Sequence, residues 1–168
     1  MHWRIGRACG VVVMIAAAAS ASAGPVTREG LAWTAKPSVV RNADGPALRW
    51  TVTARNLGKQ TRALACTWFS VREERGHLVK GKFVLDGMSV TRQPAAGCAA
   101  ESPTKVTRRA SWTSELAAPE TSMRSEEVIR AHVEATVGDG KSFEIAAVMV
   151  TLSPALEPVI KPLAAEVQ

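Results

Sequence analysis

The feature that most constrains the fold is a strict alternation of apolar and polar residues in the segment Ala47–Asn56. One phase holds Leu48, Trp50, Val52 and Ala54, and the other holds Arg49, Thr51, Thr53 and Arg55. Successive side chains of a strand point to opposite faces, whereas a helix brings residues three and four apart onto one face. The pattern therefore predicts a β-strand with one buried and one exposed face.

A second alternating stretch predicts a hairpin near the C-terminus. Val128–Val137 and Phe143–Leu152 both carry the period of a strand, and Gly138-Asp139-Gly140-Lys141 lies between them. Short connections rich in glycine and aspartate favour tight turns between antiparallel strands. We expect the apolar phase of the first strand, which includes Ile129 and Val133, to face the core.

The other candidate strands are short and separated by turn formers. They are Ala32–Ala35, Ser38–Arg41, Ala63–Val71, Leu78–Leu85, Ser89–Arg92 and Thr104–Ser114. Arg72–His77 is expected to be a charged connection, Asp86-Gly87 a turn, Gly81 a bulge, and Gln93–Pro103 a loop. Seven or eight strands at intervals of about 10–15 residues predict an all-β, antiparallel sandwich.

The two ends of the chain are expected to lie outside this sandwich. Arg4 and Arg7 precede an apolar run over 11–19, and small residues follow at 19–23, which is typical of a secretory signal peptide. This predicts a signal peptide at 1–23, a sandwich domain at 24–152 and a proline-containing tail at 153–168. The protein is then periplasmic or extracellular, from a bacterial source, with no membrane span after cleavage.

Strand Trp50–Asn56 ends in Asn56-Leu57-Gly58, and a threonine-containing loop and another apolar strand follow. This stretch resembles bacterial immunoglobulin-like and fibronectin-like sandwich domains. The resemblance implies an antiparallel immunoglobulin-like β-sandwich of seven or eight strands. Such domains serve in adhesion, pilus chaperoning, enzyme accessory roles and inhibition, so the resemblance does not select one activity.

The sequence offers little catalytic chemistry. Asp44, Asp86 and Asp139 each precede a glycine, as turns require, and after signal cleavage His77 and His132 stand isolated. Common hydrolase, nucleotide-binding and zinc-binding motifs are absent from the sequence. We therefore expect a protein that is not an enzyme and carries no metal or other cofactor.

A binding role is the remaining expectation. The net charge is +6, yet no run of Lys and Arg exceeds Arg108-Arg109, which argues against a nucleic-acid partner. Trp112 and Trp33, with Arg108 and Arg109, are candidate partner-binding residues because Trp and Arg are favoured at binding hot spots; a packed Trp112 is the structural alternative. The partner would be a protein or envelope component, bound by edge-strand pairing or by a loop-and-Trp surface. The alternative is a small exported enzyme inhibitor, or an enzyme whose site uses no known motif.

The cysteines generate a first test. Signal cleavage removes Cys9 and leaves Cys66 and Cys98, whose spacing suits neither a Cys-x-x-Cys redox site nor a zinc site. In an oxidising compartment we expect them to form a disulfide that stabilises the fold by about 3–4 kcal/mol. Mass spectrometry of the exported protein should find the two cysteines bonded, and two free thiols would contradict this.

Overall fold

The computed structural model describes residues 24–64, 66–96, 104–116, 122–138, 140–153 and 157–163. The predicted signal peptide at 1–23 and Cys98 lie outside the described residues, as does most of the predicted loop at 93–103. Within the described ranges the chain is all-β and contains no helix.

The described residues form eleven strands, numbered here in chain order. They are β1 (Val26–Arg28), β2 (Leu31–Asn42), β3 (Gly45–Asn56), β4 (Arg62–Ala63), β5 (Thr67–Val79), β6 (Lys82–Ala96), β7 (Lys105–Val106), β8 (Ser111–Leu116), β9 (Val128–Val137), β10 (Phe143–Leu152) and β11 (Pro158–Pro162). Seven of them have six or more residues, namely β2, β3, β5, β6, β8, β9 and β10.

The strands build two main antiparallel sheets that share one core. One sheet has the order β1-β2-β3-β8, the other has the order β11-β10-β9-β5-β6, and β4 pairs with β7 beside them. The first sheet buries Trp33, Leu48, Trp50 and Val52, and the second buries Phe69, Val71, Ile129, Val133 and Val148 in the same cluster. Burial of these apolar faces against each other is consistent with a β-sandwich.

The clearest alternations are confirmed. Leu48, Trp50, Val52 and Ala54 of β3 are all buried, and the opposite phase is more exposed. β9 and β10 have the predicted bounds and pair antiparallel. Each strand has a covered and an exposed face, so its sequence carries a strong period of two.

The β5–β6 hairpin differs from the sequence expectation. The predicted connection Arg72–His77 belongs to β5, and Glu73 within it is buried. The chain turns at Lys80-Gly81 instead, so Gly81 is a turn residue, with φ +78°, and not a bulge. Charged residues are compatible with β5 because Arg72 and Glu74 are partly exposed and the buried Glu73 is paired with Arg75.

Asp86-Gly87 is a bulge inside β6 and not a turn. The register passes from Gly76 opposite Leu85 to Arg75 opposite Gly87, which leaves Asp86 as the extra residue. Gly87 has no positive φ and an open Cβ position, so this bulge does not require a glycine, and the Asp-Gly pair is not specific to a turn.

Three other boundaries shift. The two predicted N-terminal strands are one continuous strand, β2, and the predicted strand Thr104–Ser114 divides into β7 and β8. The predicted tail contains β11, which pairs with β10 and buries Ile160, so the sheet extends past residue 152. Pro158 and Pro162 suit this position because an edge strand needs no N–H on its open side.

Gly76 allows β6 to pass close to β5. A Cβ at this position would meet the Val84 carbonyl oxygen and come within 2.9 Å of the Phe83 ring. The Arg130 guanidinium of β9 lies over the same ring, 4.2 Å from its centre. The ring therefore takes the space of the missing side chain and holds the hairpin against β9.

The substitution Gly76→Ala should lower the free energy of unfolding by about 3 kcal/mol, because the methyl group overlaps backbone and ring. Gly87→Ala is the matched control, since nothing lies within 4 Å of a Cβ there, and it should change stability by less than about 1 kcal/mol. Urea unfolding followed by tryptophan fluorescence measures both. Equal losses for the two variants would contradict the role of Gly76.

Candidate interaction surface

The predicted surface tryptophans belong to the interior. Trp33 is fully buried, and its ring lies edge-on to Phe69 with the centroids 6.2 Å apart. The Trp33 indole N–H donates to the Arg28 carbonyl at 3.3 Å. The expectation that Trp33 contacts a partner is therefore wrong, because β2 directs this side chain between the two sheets.

Trp112 packs inward as well. It is half-buried on β8 and stacks on Phe69 with a centroid distance of 6.2 Å and an angle of 22°. Arg108 and Arg109 are exposed in the turn that precedes β8, and Arg109 has φ +58°. Trp112 thus has the packed environment that was the structural alternative, while the two arginines remain available at the surface.

Cys66 lies just before β5, where the sheet meets the β9–β10 turn. It is half-buried, and its carbonyl oxygen accepts a hydrogen bond of 2.7 Å from the Gly138 N–H. Cys98 lies outside the described residues, so the disulfide between them stays a prediction.

A surface that the sequence did not indicate is formed by the β5–β6 hairpin. Among the described residues, six of the eight large apolar side chains that are exposed belong to it. These six are Leu78 at 48%, Val79 at 46%, Val84 at 40%, Leu85 at 55%, Met88 at 63% and Val90 at 59% exposure. Successive strand residues point to opposite faces, so these six side chains are divided between the two faces of the hairpin. Exposed apolar groups scattered singly are ordinary, and their concentration on one hairpin makes it a candidate interaction surface.

β6 is an edge strand. It pairs with β5 on one side and has no described strand on the other. Alternate residues of an edge strand direct their N–H and C=O groups away from the sheet, where another chain can bind them. The Asp86 bulge and Pro94 interrupt this edge, so its regular stretch is Gly87–Gln93.

The two faces of β6 reverse the usual arrangement. Ser89, Thr91 and Gln93 lie opposite Glu73, Val71 and Phe69, which places these polar residues on the core-facing side of the sheet. Met88 and Val90 lie opposite Glu74 and Arg72, on the outward side. The apolar phase of β6 therefore faces solvent.

Cationic side chains surround the outward apolar residues. Arg92 lies over the Trp68 ring at 5.2 Å, and Arg72 pairs with Glu74 at 3.6 Å. No described carboxylate lies within ion-pair distance of Arg92. An arginine held by an aromatic ring keeps its N–H donors available for a partner.

A buried ionic cluster anchors the hairpin beneath this surface. Glu73 is 1% exposed and accepts a 3.1 Å hydrogen bond from Arg75. The Arg75 guanidinium also contacts Glu127 at 3.3 Å and the Ser122 carbonyl oxygen at 3.2 Å. One cation therefore joins β5 to the segment that enters β9.

Few groups offset the cost of burying the charge of the Glu73 carboxylate. Its Oε1 atom is buried and has no hydrogen-bond partner. Burial raises the pKa of Glu73 above its ordinary value of 4.5; attraction to Arg75 opposes the increase, and Glu127 adds to it. A carboxylate of this kind stabilises the fold more when it is protonated.

Near the bulge, His77 and Asp86 form a second, exposed pair. The His77 Nδ1 and Asp86 Oδ2 atoms are 2.8 Å apart. This contact crosses from β5 to the extra residue of β6 and orients it. His132 and Glu144 form a similar contact of 2.8 Å on β9 and β10, so neither histidine is isolated as the sequence suggested.

Comparisons with known proteins do not assign this chain to a family. No family model and no curated protein matches this chain. An X-ray structure of a Northeast Structural Genomics Consortium target is similar at 12% identity, with 83% of this chain and 91% of that chain covered and a TM-score of 0.37. A crystal structure from Bordetella pertussis, provisionally named ApaA, matches at 11% identity over 84% of this chain and 99% of that one, with a TM-score of 0.35. None of the described residues forms a helix long and apolar enough to span a membrane.

The ionic cluster generates a pH prediction. Because Glu73 has a raised pKa in the folded state, that state binds more protons than the unfolded chain just above pH 4.5, so stability should fall as the pH rises through this window. Glu73→Gln carries no charge at any pH. The stability of this variant relative to the original protein should therefore increase from acid to neutral pH.

Urea unfolding at several pH values measures this difference. Glu115→Gln is the control, because Glu115 is exposed and its 3.8 Å pair with Arg49 is solvated. It should leave the pH profile nearly unchanged. A Glu73→Gln profile that runs parallel to that of the original protein would contradict the prediction.

Proposed function

We propose that this chain is a non-catalytic, exported, immunoglobulin-like β-sandwich protein that binds another protein by strand addition at β6. The observation that carries the proposal is the concentration of exposed apolar side chains on the β5–β6 hairpin, whose strand β6 has no described strand on its outer side. In strand addition, backbone hydrogen bonds supply affinity and alternate side chains supply specificity. The regular stretch Gly87–Gln93 offers both.

The packing of the tryptophans favours this mode over a loop-and-Trp surface. Trp33 is in the core and Trp112 stacks on Phe69, so neither provides a fully exposed aromatic anchor. The outward row of β6, in contrast, presents Met88 and Val90 beside Arg92. Apolar centres with an arginine nearby are typical of protein interfaces.

The other edge of the five-stranded sheet supports the assignment to β6. β11 has five residues, and two of them are prolines, which lack the N–H group that a paired strand must donate. Val159 is the one large apolar residue of β11 that is exposed, at 42%. The two edges therefore differ in their capacity to bind a strand while sharing one sheet.

The predicted signal peptide indicates the compartment in which the partner is found. Arg4 and Arg7, the apolar run and the small residues at 19–23 support secretion, so the partner is a protein of the envelope or exterior. An exposed apolar edge strand carries a hazard of aggregation when the protein is concentrated. A partner that covers β6 removes this hazard.

Photo-crosslinking tests the proposal. A photoreactive amino acid at Met88 should give a defined adduct with a protein partner in the producing cells, whereas the same group at Val159 should not. Adding Val90→Pro to the Met88 probe should abolish the adduct, because a proline in the regular stretch disrupts strand pairing.

Equal labelling from Met88 and Val159, or a Met88 adduct that is unaffected by Val90→Pro, would overturn the proposal. Near-ultraviolet circular dichroism of each purified variant shows whether the core is intact. Val90 is exposed and lies in the same phase of β6 as Pro94, which this strand already accommodates opposite Trp68, so this substitution should leave the core unchanged.

A further inference from the structure

The regular stretch of β6 that can pair with another strand is bounded at both ends, so it has a central residue. The Asp86 bulge limits regular pairing on one side and Pro94 limits it on the other. Val90 lies four residues from each. A strand bounded in this way can pair with an identical strand, antiparallel and about a two-fold axis, over its full available length only if the axis passes through Val90.

We infer that β6 pairs with β6 of a second copy of this chain, antiparallel and centred on Val90. This inference rests on the proposed function, because it names the first occupant of the same edge. Antiparallel pairing would join the two five-stranded sheets into one continuous sheet across the axis. The interface is isologous, so each copy contributes the same residues.

The cross-strand pairs in this register are complementary. On the outward face, Val90 meets Val90 of the partner subunit at the axis, and Met88 lies opposite Arg92 of the partner subunit. On the other face, Ser89 lies opposite Thr91 of the partner subunit. Paired aliphatic groups, and Ser or Thr hydroxyl groups that hydrogen-bond across strands, each stabilise a ladder.

Charge also favours this register. Glu74 is the β5 neighbour of Met88, so Arg92 of the partner subunit would lie in the same row, one strand spacing beyond Met88 and two spacings, about 10 Å, from Glu74. The Arg92 and Glu74 side chains span that distance together when both extend across Met88. Arg92, which has no described carboxylate within ion-pair distance, thereby gains one in the dimer, and the two-fold axis repeats the contact.

Neighbouring registers are poorer. An axis at Ser89 would bring the bulged Asp86 into the pairing, and an axis at Thr91 would place Met88 opposite Pro94. An axis at Arg92 would place two guanidinium groups opposite each other, which destabilises a strand pair. The residue order thus selects one register.

Sedimentation of the purified protein over a concentration series tests the dimer. Val90→Glu places two carboxylates at the axis and should weaken dimerisation about ten-fold or more, while Val159→Glu, the same change on the other edge, should leave it unaffected. A mixture of Val90→Glu and Val90→Lys should dimerise again, because opposite charges then meet at the axis.

Cysteine crosslinking tests the register. Residues directly opposite in an antiparallel pair have Cα atoms about 4.5–5.5 Å apart, within the range of a disulfide. Val90→Cys should therefore form a covalent dimer under mild oxidation. Met88→Cys should not, although Met88 is more exposed, because its counterpart in the partner subunit lies four residues away, about 13 Å. The original protein controls for Cys66 and Cys98.

The outcomes separate this inference from the proposed function. A protein that sediments as a monomer at all concentrations, or that crosslinks equally through either cysteine, overturns the inference. If the Met88 photo-adduct with another protein persists in that case, the proposed function stands with a different occupant. A dimer that survives Val90→Glu unchanged also overturns the inference.

Discussion

The contact of Phe69 with Trp33 and Trp112 is the interaction on which the two-sheet structure depends. Phe69 projects from β5 and meets an indole of β2 edge-on and an indole of β8 face-on. Through this ring the inner strand of the five-stranded sheet contacts two strands of the facing sheet. Large aromatic groups dominate core energetics because they bury a large apolar area in one place. Trp33 is thus unavailable as a surface anchor, and Trp112 is only partly exposed, for the same reason that the sandwich holds together.

The parts of the fold that could be predicted are those with one buried face. β3, β9 and β10 lie between neighbours in a sheet and under the opposite sheet, so solvent and core impose opposite demands on alternate residues. Leu48 and Trp50, two residues apart on the buried face of β3, show this effect. The all-β, antiparallel class follows from such strands alone.

The candidate surface could not be predicted for a complementary reason. Along β6, Met88 and Val90 alternate with Ser89 and Thr91. The alternation alone predicts that Met88 and Val90 are buried and that Ser89 and Thr91 are exposed. The structure reverses the two because β6 lies at the sheet edge, where side chains reach solvent on both faces. Periodicity identifies the strand but not the face that is covered. Likewise, Glu73 lies among charged neighbours in the sequence. Its place in the interior depends on Arg75, which contacts both Glu73 and Glu127.

The prolines of β11 have a consequence for the growth of assemblies. A sheet with two pairable edges can add copies without limit and form a fibre, whereas a sheet with one blocked edge stops after a single addition. In this protein, β11 closes one side of the five-stranded sheet, and the bulge and Pro94 shorten the other to seven residues. In the proposed β6 dimer, growth of this sheet would therefore terminate at a closed assembly of finite size, and the exposed apolar edge would not make the protein a template for polymerisation.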